Sequence, residues 1–286
     1  MARILGVGIA TVDIVNIVDH YPTEDEELRA KSQHKVRGGN VTNTLCVLSQ
    51  LGHQCEWLGT LAEEPDSKII KDDLDHYKIN YDKVITYSTG KVPTSYITLS
   101  HQTGSRTIVH YRDLPELQFN DIETFDYTEY DWIHFEGRNV EQLLKLVAHI
   151  KLLHPGIPLS LEVEKEREGI DSLFAYMEVL LFSKHYSLAK GYTQAVDLLN
   201  SLDLNTTAIC AWGDQGSYAI NTHKEIIFSA AEKVEKVVDS IGAGDTFNAG
   251  IIDSLINRRP LETCLKFANQ LAGKKIQQQG FSGISD

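Results

Sequence analysis

The run Asp239-Ser240-Ile241-Gly242-Ala243-Gly244-Asp245-Thr246-Phe247-Asn248-Ala249-Gly250 brings together residue types that could do chemistry. Gly242, Ala243 and Gly244 carry almost no side chain, so a ligand can approach their backbone N–H groups closely. A helical pattern follows, with Phe247, Ile251, Ile252, Leu255 and Ile256 on one apolar face. Arg258 and Arg259 suit the negative end of that helix, and Pro260 stops it. Bare amides at the tip of a helix, with the helix dipole behind them, make an anion site. Asp245, in the first turn, is a poor neighbour for a bound phosphate. It becomes useful if it accepts a proton from a hydroxyl attacking that phosphate, because phosphoryl transfer needs little beyond positioning, charge neutralisation and an oriented base. With an ordinary pKa of about 3.9, an aspartate is a weak base, so placement is expected to matter more than basicity. The plainer alternative is a glycine-rich turn whose aspartate helps to cap a helix.

The elements that must position this turn follow an α/β rhythm. Ile4 to Ile9 reads as a buried strand. Asn40 can cap a helix with apolar positions Val41, Leu45 and Leu48, closed by Gly52. Further strands are expected at Cys55 to Leu58, Trp132 to Phe135, Leu159 to Val163, Val179 to Phe182 and Ala208 to Ala211, with a short extended piece at Val237-Val238 just before the glycine turn. A last helix carries Leu261, Cys264, Leu265, Ala268, Leu271 and Ala272 on one face, with Pro260 at its first position. Two segments break the rhythm. Leu28 to Val36 alternates, and Thr94 to His110 reads as a hairpin turning near Thr103-Gly104. Both are polar at alternate positions, as an antiparallel sheet with one wet face would be. A small β lid on a larger α/β domain is expected; the alternative is that these strands extend the main sheet.

The chain has 286 residues, enough to bury a sizeable core. Its 27 Lys and Arg against 40 Asp and Glu leave a net charge of −13, which disfavours nucleic acid and anionic membranes as partners but allows a local basic pocket. No apolar run approaches a membrane span, and the N-terminus enters a strand with no cleavable-signal pattern. Cys46, Cys55, Cys210 and Cys264 are too scattered for a zinc or redox motif and suit buried thiols in a reducing cytoplasm. The Asn40 and Asn205 sequons are chance matches in such a compartment. Gly6-x-Gly8 lacks the third glycine of a dinucleotide fingerprint, and Gly90-Lys91 and Gly273-Lys274 lack the rest of a Walker loop.

The glycine turn with its flanks resembles the C-terminal signature of the ribokinase-like (PfkB) carbohydrate kinases. The N-terminal signature matches Arg37-Gly38-Gly39-Asn40-Val41-Thr42-Asn43, in the expected order about two hundred residues earlier. The resemblance runs along the whole chain and is closest to the ketohexokinase branch. It is carried by stretches such as Tyr21 to Asp25, Gly104 to Ile108, His134 to Asn139, Glu162 to Lys165, Cys210 to Trp212 and Gln279 to Phe281.

The resemblance implies a three-layer ribokinase-like fold with a mostly parallel central sheet. Residues 1–12, 38–92 and 113–286 would form the catalytic domain, and 13–37 and 93–112 the lid. It implies ATP-dependent phosphorylation of a ketohexose 1-hydroxyl, fructose to fructose 1-phosphate, with Mg2+ and a possible response to K+. Asp245 would be the base, with the amides of Gly242, Ala243 and Gly244 as the anion hole. Asp13, Gly39, Asn40, Asn43 and Glu136 would bind the sugar; a carboxylate and amides suit a polyol because they accept and donate in fixed directions. For Asn40 and Asn43 the plain alternative is helix capping. Arg106 would reach phosphate from the lid, or else be a solvated strand residue. Lys184, Trp212, Gly213, Gly216 and Asn269 would border the nucleotide. An ordinary turn at 212–216 and a surface lysine at 184 are equal alternatives. Glu162 and Glu164 would lie near magnesium.

The family's Asn-x-x-Glu element is missing from Leu181 to Tyr186, a departure shared with ketohexokinases. The acidic positions of Trp212-Gly213-Asp214-Gln215 also depart from that branch. Other acceptors (ribose, a ketogluconate, a nucleoside) and a non-catalytic sugar sensor are the alternative readings. The exposed edges of a lid sheet invite pairing, so a homodimer with clasped lids is expected.

Overall fold

The computed structural model describes residues 1–103 and 105–285. The first half of the chain runs β1 (Arg3–Val7), β2 (Thr11–Val18), β3 (Ser32–Gly38), α1 (Asn40–Gln50), β4 (Gln54–Leu58), β5 (Thr60–Ala62), α2 (Ser67–His76), β6 (Ile85–Tyr87), β7 (Thr94–Ser100) and β8 (Arg106–Tyr111). The second half runs β9 (Trp132–Glu136), α3 (Val140–Leu153), β10 (Leu159–Val163), β11 (Val179–Ser183), α4 (Lys184–Ala189), α5 (Ala195–Ser201), β12 (Thr207–Ala211), β13 (Ser217–Ile220), β14 (Ile226–Ser229), α6 (Ala243–Ile256) and α7 (Leu261–Lys275).

Eight strands form the main sheet in the order β14-β13-β12-β11-β10-β9-β1-β4. The pairs from β4 to β12 are parallel, and β13 and β14 add an antiparallel edge. These strands are apolar at nearly every position because both faces are covered. Ile4, Leu181 and Ile209 face a core shared with α1, α6 and α7. Their neighbours Leu5, Leu180 and Ala208 face a second core shared with α3 and α5. That period-two division gives three layers.

A separate four-stranded sheet, in the order β3-β2-β7-β8, forms the lid. Its β2–β7 pair is parallel and its outer pairs antiparallel. The first lid strand already begins at Thr11 and was not legible as a strand in the sequence. Leu28 to Val36 is strand only from Ser32, and the strand continues to Gly38, because its partner β2 runs to Thr11. Gly104 of the expected hairpin turn lies outside the described residues.

Three local expectations are corrected. Val237-Val238 is not a strand: no strand lies between Ser229 and Ala243, and the Val238 and Asp239 amides instead donate to the Ile276 carbonyl at the end of α7. Asn40 does not cap α1. Gly39 takes that place, at a φ of 108° that puts the missing Cβ 2.3 Å from the Ile9 carbonyl oxygen, and Asn40 is the first helical residue. Pro260 precedes α7 as its extended cap residue rather than being its first helical position.

Candidate active site

The C-terminal ends of the main-sheet strands and the inner face of the lid enclose a cavity of about 530 Å³. Open parallel sheets bind ligands at this edge. From the lid come Thr11, Asp13, Ser95, Ile97, Arg106, Ile108 and His110, alternate residues on three paired strands. From the main domain come Gly39, Asn40 and Asn43 of the α1 entry, Glu136, Glu162 and Glu164 from the β9 and β10 ends, and Gly242, Gly244 and Asp245 from the α6 entry. The parallel register sets Glu136 beside Glu162.

Gly242 opens α6 at a φ of 79°. The Phe281 ring packs so closely beneath it that a Cβ would meet the ring at 2.3 Å. The first helical bond of the turn is Thr246 N to Gly242 O, at 2.9 Å. The Gly244 and Asp245 amides have no protein acceptor among the described residues, as an anion-holding helix tip requires. Ala243 is half-buried, its amide donates to the Ser240 carbonyl at 3.4 Å, and it is not among the cavity-lining residues.

Asp245 is buried and is tied to α1 twice. Asn43 Nδ2 donates to its Oδ2 at 2.7 Å, and Thr44 Oγ1 donates to its carbonyl at 3.3 Å. The amide of Asn43 is oriented by the fully buried Arg37, whose Nη1 donates to Asn43 Oδ1 at 2.7 Å. Burial pushes the Asp245 carboxyl up to about 7. The Asn43 donor and the Arg37 charge oppose the shift, while Glu164 and Glu136 add to it. The expectation of a weak base with an ordinary pKa is therefore corrected: desolvation raises its basicity into the range useful at neutral pH.

Asp13 is also pushed up by burial, against hydrogen bonds from Thr11 (2.9 Å) and Ser95. Gly38 allows its approach, because a Cβ there would lie 2.2 Å from Asp13 Oδ2. Asn40 Nδ2 donates to Glu164 Oε2 at 3.2 Å. Glu136 accepts the Ile9 amide at 3.1 Å and an Arg138 Nη1 donor at 3.4 Å. Glu162 accepts from Asn248 Nδ2 at 3.1 Å, while its Oε2 is buried without a partner. Burial, then the charges of Asp245, Glu136 and Glu164, hold Glu162 well above the usual carboxylate range. Such a cluster with an orphaned oxygen fits a divalent cation. Among the described residues no three His, Cys, Asp or Glu side chains converge to hold a metal by themselves, so most ligands would be phosphate oxygens and water, as is usual for Mg2+.

The remaining candidates lie apart. Lys184, Trp212, Gly213, Gly216 and Asn269 do not line this cavity. Lys184 Nζ sits 5.6 Å from the ring centroid of the buried Trp212. Gly213 is the first residue of a single 3-10 turn before β13, and Gly216 follows its last residue. Asn269 Nδ2 is held by Ser217 Oγ, Ser229 O and Ala230 O at 3.0–3.1 Å, which ties α7 to β13 and β14. Conversely, Arg138, Lys165, Arg167 and His110 line the cavity and had no assigned role. The available signal was their place just after strand ends or within the alternating lid hairpin. Arg138, Lys165 and Arg167 together with Arg106 make a local basic wall in an acidic protein, while burial and then the charges of Arg138 and Arg112 hold the His110 ring toward its neutral form.

A three-layer sheet with a β lid, and a buried aspartate beside bare amides at a helix tip, define a phosphotransferase of the sugar-kinase type. The chain matches the pfkB family carbohydrate kinases over residues 1–285 and belongs to that family. It is 38% identical over 293 residues to ketohexokinase of Mus musculus, covering 99% of this chain and 98% of that one. Its fold is similar to ribokinase of Arabidopsis thaliana complexed with ribose and ATP (TM-score 0.78, 20% identity, 98% of this chain and 94% of that one). It is likewise similar to ribokinase of Cryptococcus neoformans in complex with ADP (TM-score 0.79, 18% identity, 98% and 94%). No helix among the described residues is long and apolar enough to cross a membrane.

Proposed function

We propose that this carbohydrate kinase transfers the γ-phosphoryl group of ATP to the 1-hydroxyl of a ketohexose, fructose first among them. The observation that carries the reading is Asp245: a buried carboxyl of raised basicity, fixed by Asn43, on the same cavity wall as the unpaired amides of its helix tip. Similarity to the mouse ketohexokinase supports the choice of acceptor.

Asp13, Gly39, Asn40 and Asn43 hold the sugar hydroxyls. Asp245 takes the proton of the attacking hydroxyl as its oxygen bonds to the γ-phosphorus. The bond from that phosphorus to the bridging oxygen breaks, and ADP leaves with the electron pair. The Gly244 and Asp245 amides hold charge on the transferring group, and Arg106 neutralises more of it from the lid. Glu162 and Glu164 would lie near the magnesium of Mg-ATP, which would supply charge neutralisation. The nucleotide extends towards Lys184, Trp212, Gly213 and Gly216, with α7 near the base. We assign Asn269 a bracing role there, since its amide hydrogens are already engaged. Four buried free cysteines suit a reducing cytoplasm.

The test is a coupled ADP-release assay with Mg-ATP and a panel of fructose, ribose, 2-keto-3-deoxygluconate and adenosine. Fructose is expected to give the highest kcat/KM, with the phosphate at C1 by NMR. A higher value for ribose or adenosine overturns the choice of acceptor, and sugar binding with no ADP release overturns catalysis.

The lid also supports a homodimer. Tyr96, Ile108, Val109 and Tyr111 are exposed apolar residues on one small sheet, and among the described residues β8 has no partner on its outer edge. Light scattering is expected to give twice the chain mass of 32.1 kDa, with Val109→Lys shifting it to the monomer. A stable monomer of the unaltered protein overturns the clasp.

A further inference from the structure

The segment leading into the glycine turn has no strand to hold it, yet the turn must keep Gly242 at positive φ with two amides free. What holds it is a buried cation. Lys275, the last residue of α7, is 0% exposed. Its Nζ lies 2.9 Å from Asp239 Oδ2 and 3.2 Å from the Asp239 carbonyl oxygen, and 5.4 Å from the centroid of the Phe281 ring. Asp239 Oδ1 in turn accepts the Ile241 amide at 2.9 Å. The Val238 and Asp239 amides donate to Ile276, the residue after Lys275, at 2.7 and 3.2 Å. Phe281 is the ring packed beneath Gly242. Every one of these contacts converges on the short segment that ends in the anion hole.

An ammonium removed from water is costly unless it is paired and hydrogen-bonded. Here the pairing does two things. It clamps the Asp239 carboxylate, which fixes Ile241 and so the entry to Gly242. It also cancels a negative charge that would otherwise stand a few residues from a bound phosphate. A free monovalent cation could do the same work by bridging the carbonyl and carboxylate of Asp239, but the Lys275 ammonium already occupies that position.

We propose that Lys275 is a positioning residue, a tethered monovalent cation that holds the phosphate-binding turn, so that the site needs no free potassium or ammonium ion. The inference rests on the reading of Gly242 to Asp245 as the phosphoryl-transfer turn, and it replaces the potassium response implied by the family resemblance.

The first experiment uses the unaltered protein in magnesium buffers whose only monovalent cation is K+, Na+ or tetramethylammonium. Two quantities are read: kcat with the active sugar, and the rise in Tm caused by Mg-ADP, which needs no sugar. Both are expected to agree across the three buffers, kcat to within about twofold. A K+ stimulation of about tenfold or more overturns the proposal. If no sugar is turned over, the acceptor assignment has failed, and the Mg-ADP series still decides the cation question. The second experiment is Lys275→Met, which keeps length and removes charge. It is expected to lower kcat by about tenfold or more while changing the sugar KM little, and added methylammonium should restore part of the loss where tetramethylammonium does not. Unchanged kcat overturns the proposal. If the variant fails to fold, the unaltered protein in the three buffers decides the matter.

Discussion

Asp245→Asn is expected to remove nearly all turnover and yet make the protein more stable at neutral pH. The loss follows from the base: a positioned proton acceptor is worth about 10²–10⁴ in rate. Sugar binding should survive, because asparagine can still accept from Asn43 Nδ2, now at 2.7 Å from Asp245 Oδ2. The gain in stability follows from the raised pKa. The carboxyl titrates near 7 in the fold against about 3.9 when unfolded. A carboxyl with its native pKa above its unfolded one binds its proton more tightly when folded. Its favourable contribution is complete below about pH 4 and is lost as pH rises through 7. Above 7 the fold carries a buried charge, and the amide variant does not. A gain of about 1–3 kcal/mol is expected at pH 8, vanishing by about pH 4. The same titration sets the acid limb of kcat/KM for the parent enzyme near pH 7, with activity falling below it. Thermal melts at pH 8 and pH 5 with a pH–rate profile check both halves. Near-normal turnover of the variant removes Asp245 from the chemistry, and a variant less stable at pH 8 removes the burial argument.

Gly242→Val should be damaging for a different reason. Gly242 has a φ of 79°, where a β-branched residue is strained by about 1–3 kcal/mol, and its new Cβ would meet the Phe281 ring at 2.3 Å. Relief requires the turn to move, and the amides move with it. Loss of one such donor costs about 10²–10³ in kcat, so a fall of that order is expected, together with a lower Tm. Gly242→Ala with Phe281→Leu relieves the overlap but not the dihedral, and should recover stability more than rate. If kcat of the valine variant stays within about threefold of the parent, the turn does not bind the transferring group.

The regular parts of the fold were legible because their signals are local. Strands β9 to β12 are short apolar runs buried on both faces, and α6 and α7 show apolar faces at helical spacing. Both signature stretches were legible too, and the structure brings Asn43 and Asp245 into contact across two hundred residues. β2 was harder, because Thr11–Val18 has polar residues at Asp13 and Asn16 and belongs to a sheet with a wet face. Val237-Val238 misled for the opposite reason: two β-branched residues suggest a strand, but no neighbouring strand offers it a ladder. Nothing in the sequence singled out Lys275, and its complete burial follows from how α7 packs against the 238–242 loop.

The sequence by itself determined the buried strands β1, β4 and β9 to β12, the helices α1, α6 and α7, and the glycine turn with its aspartate, since apolar period and small side chains act on near neighbours along the chain. Only the tertiary structure decided how basic Asp245 is, which of Glu136, Glu162 and Glu164 crowd it, and what charge steadies the turn. Desolvation and Coulomb forces depend on separation in space. The groups that exert them here come from chain positions tens to hundreds of residues apart.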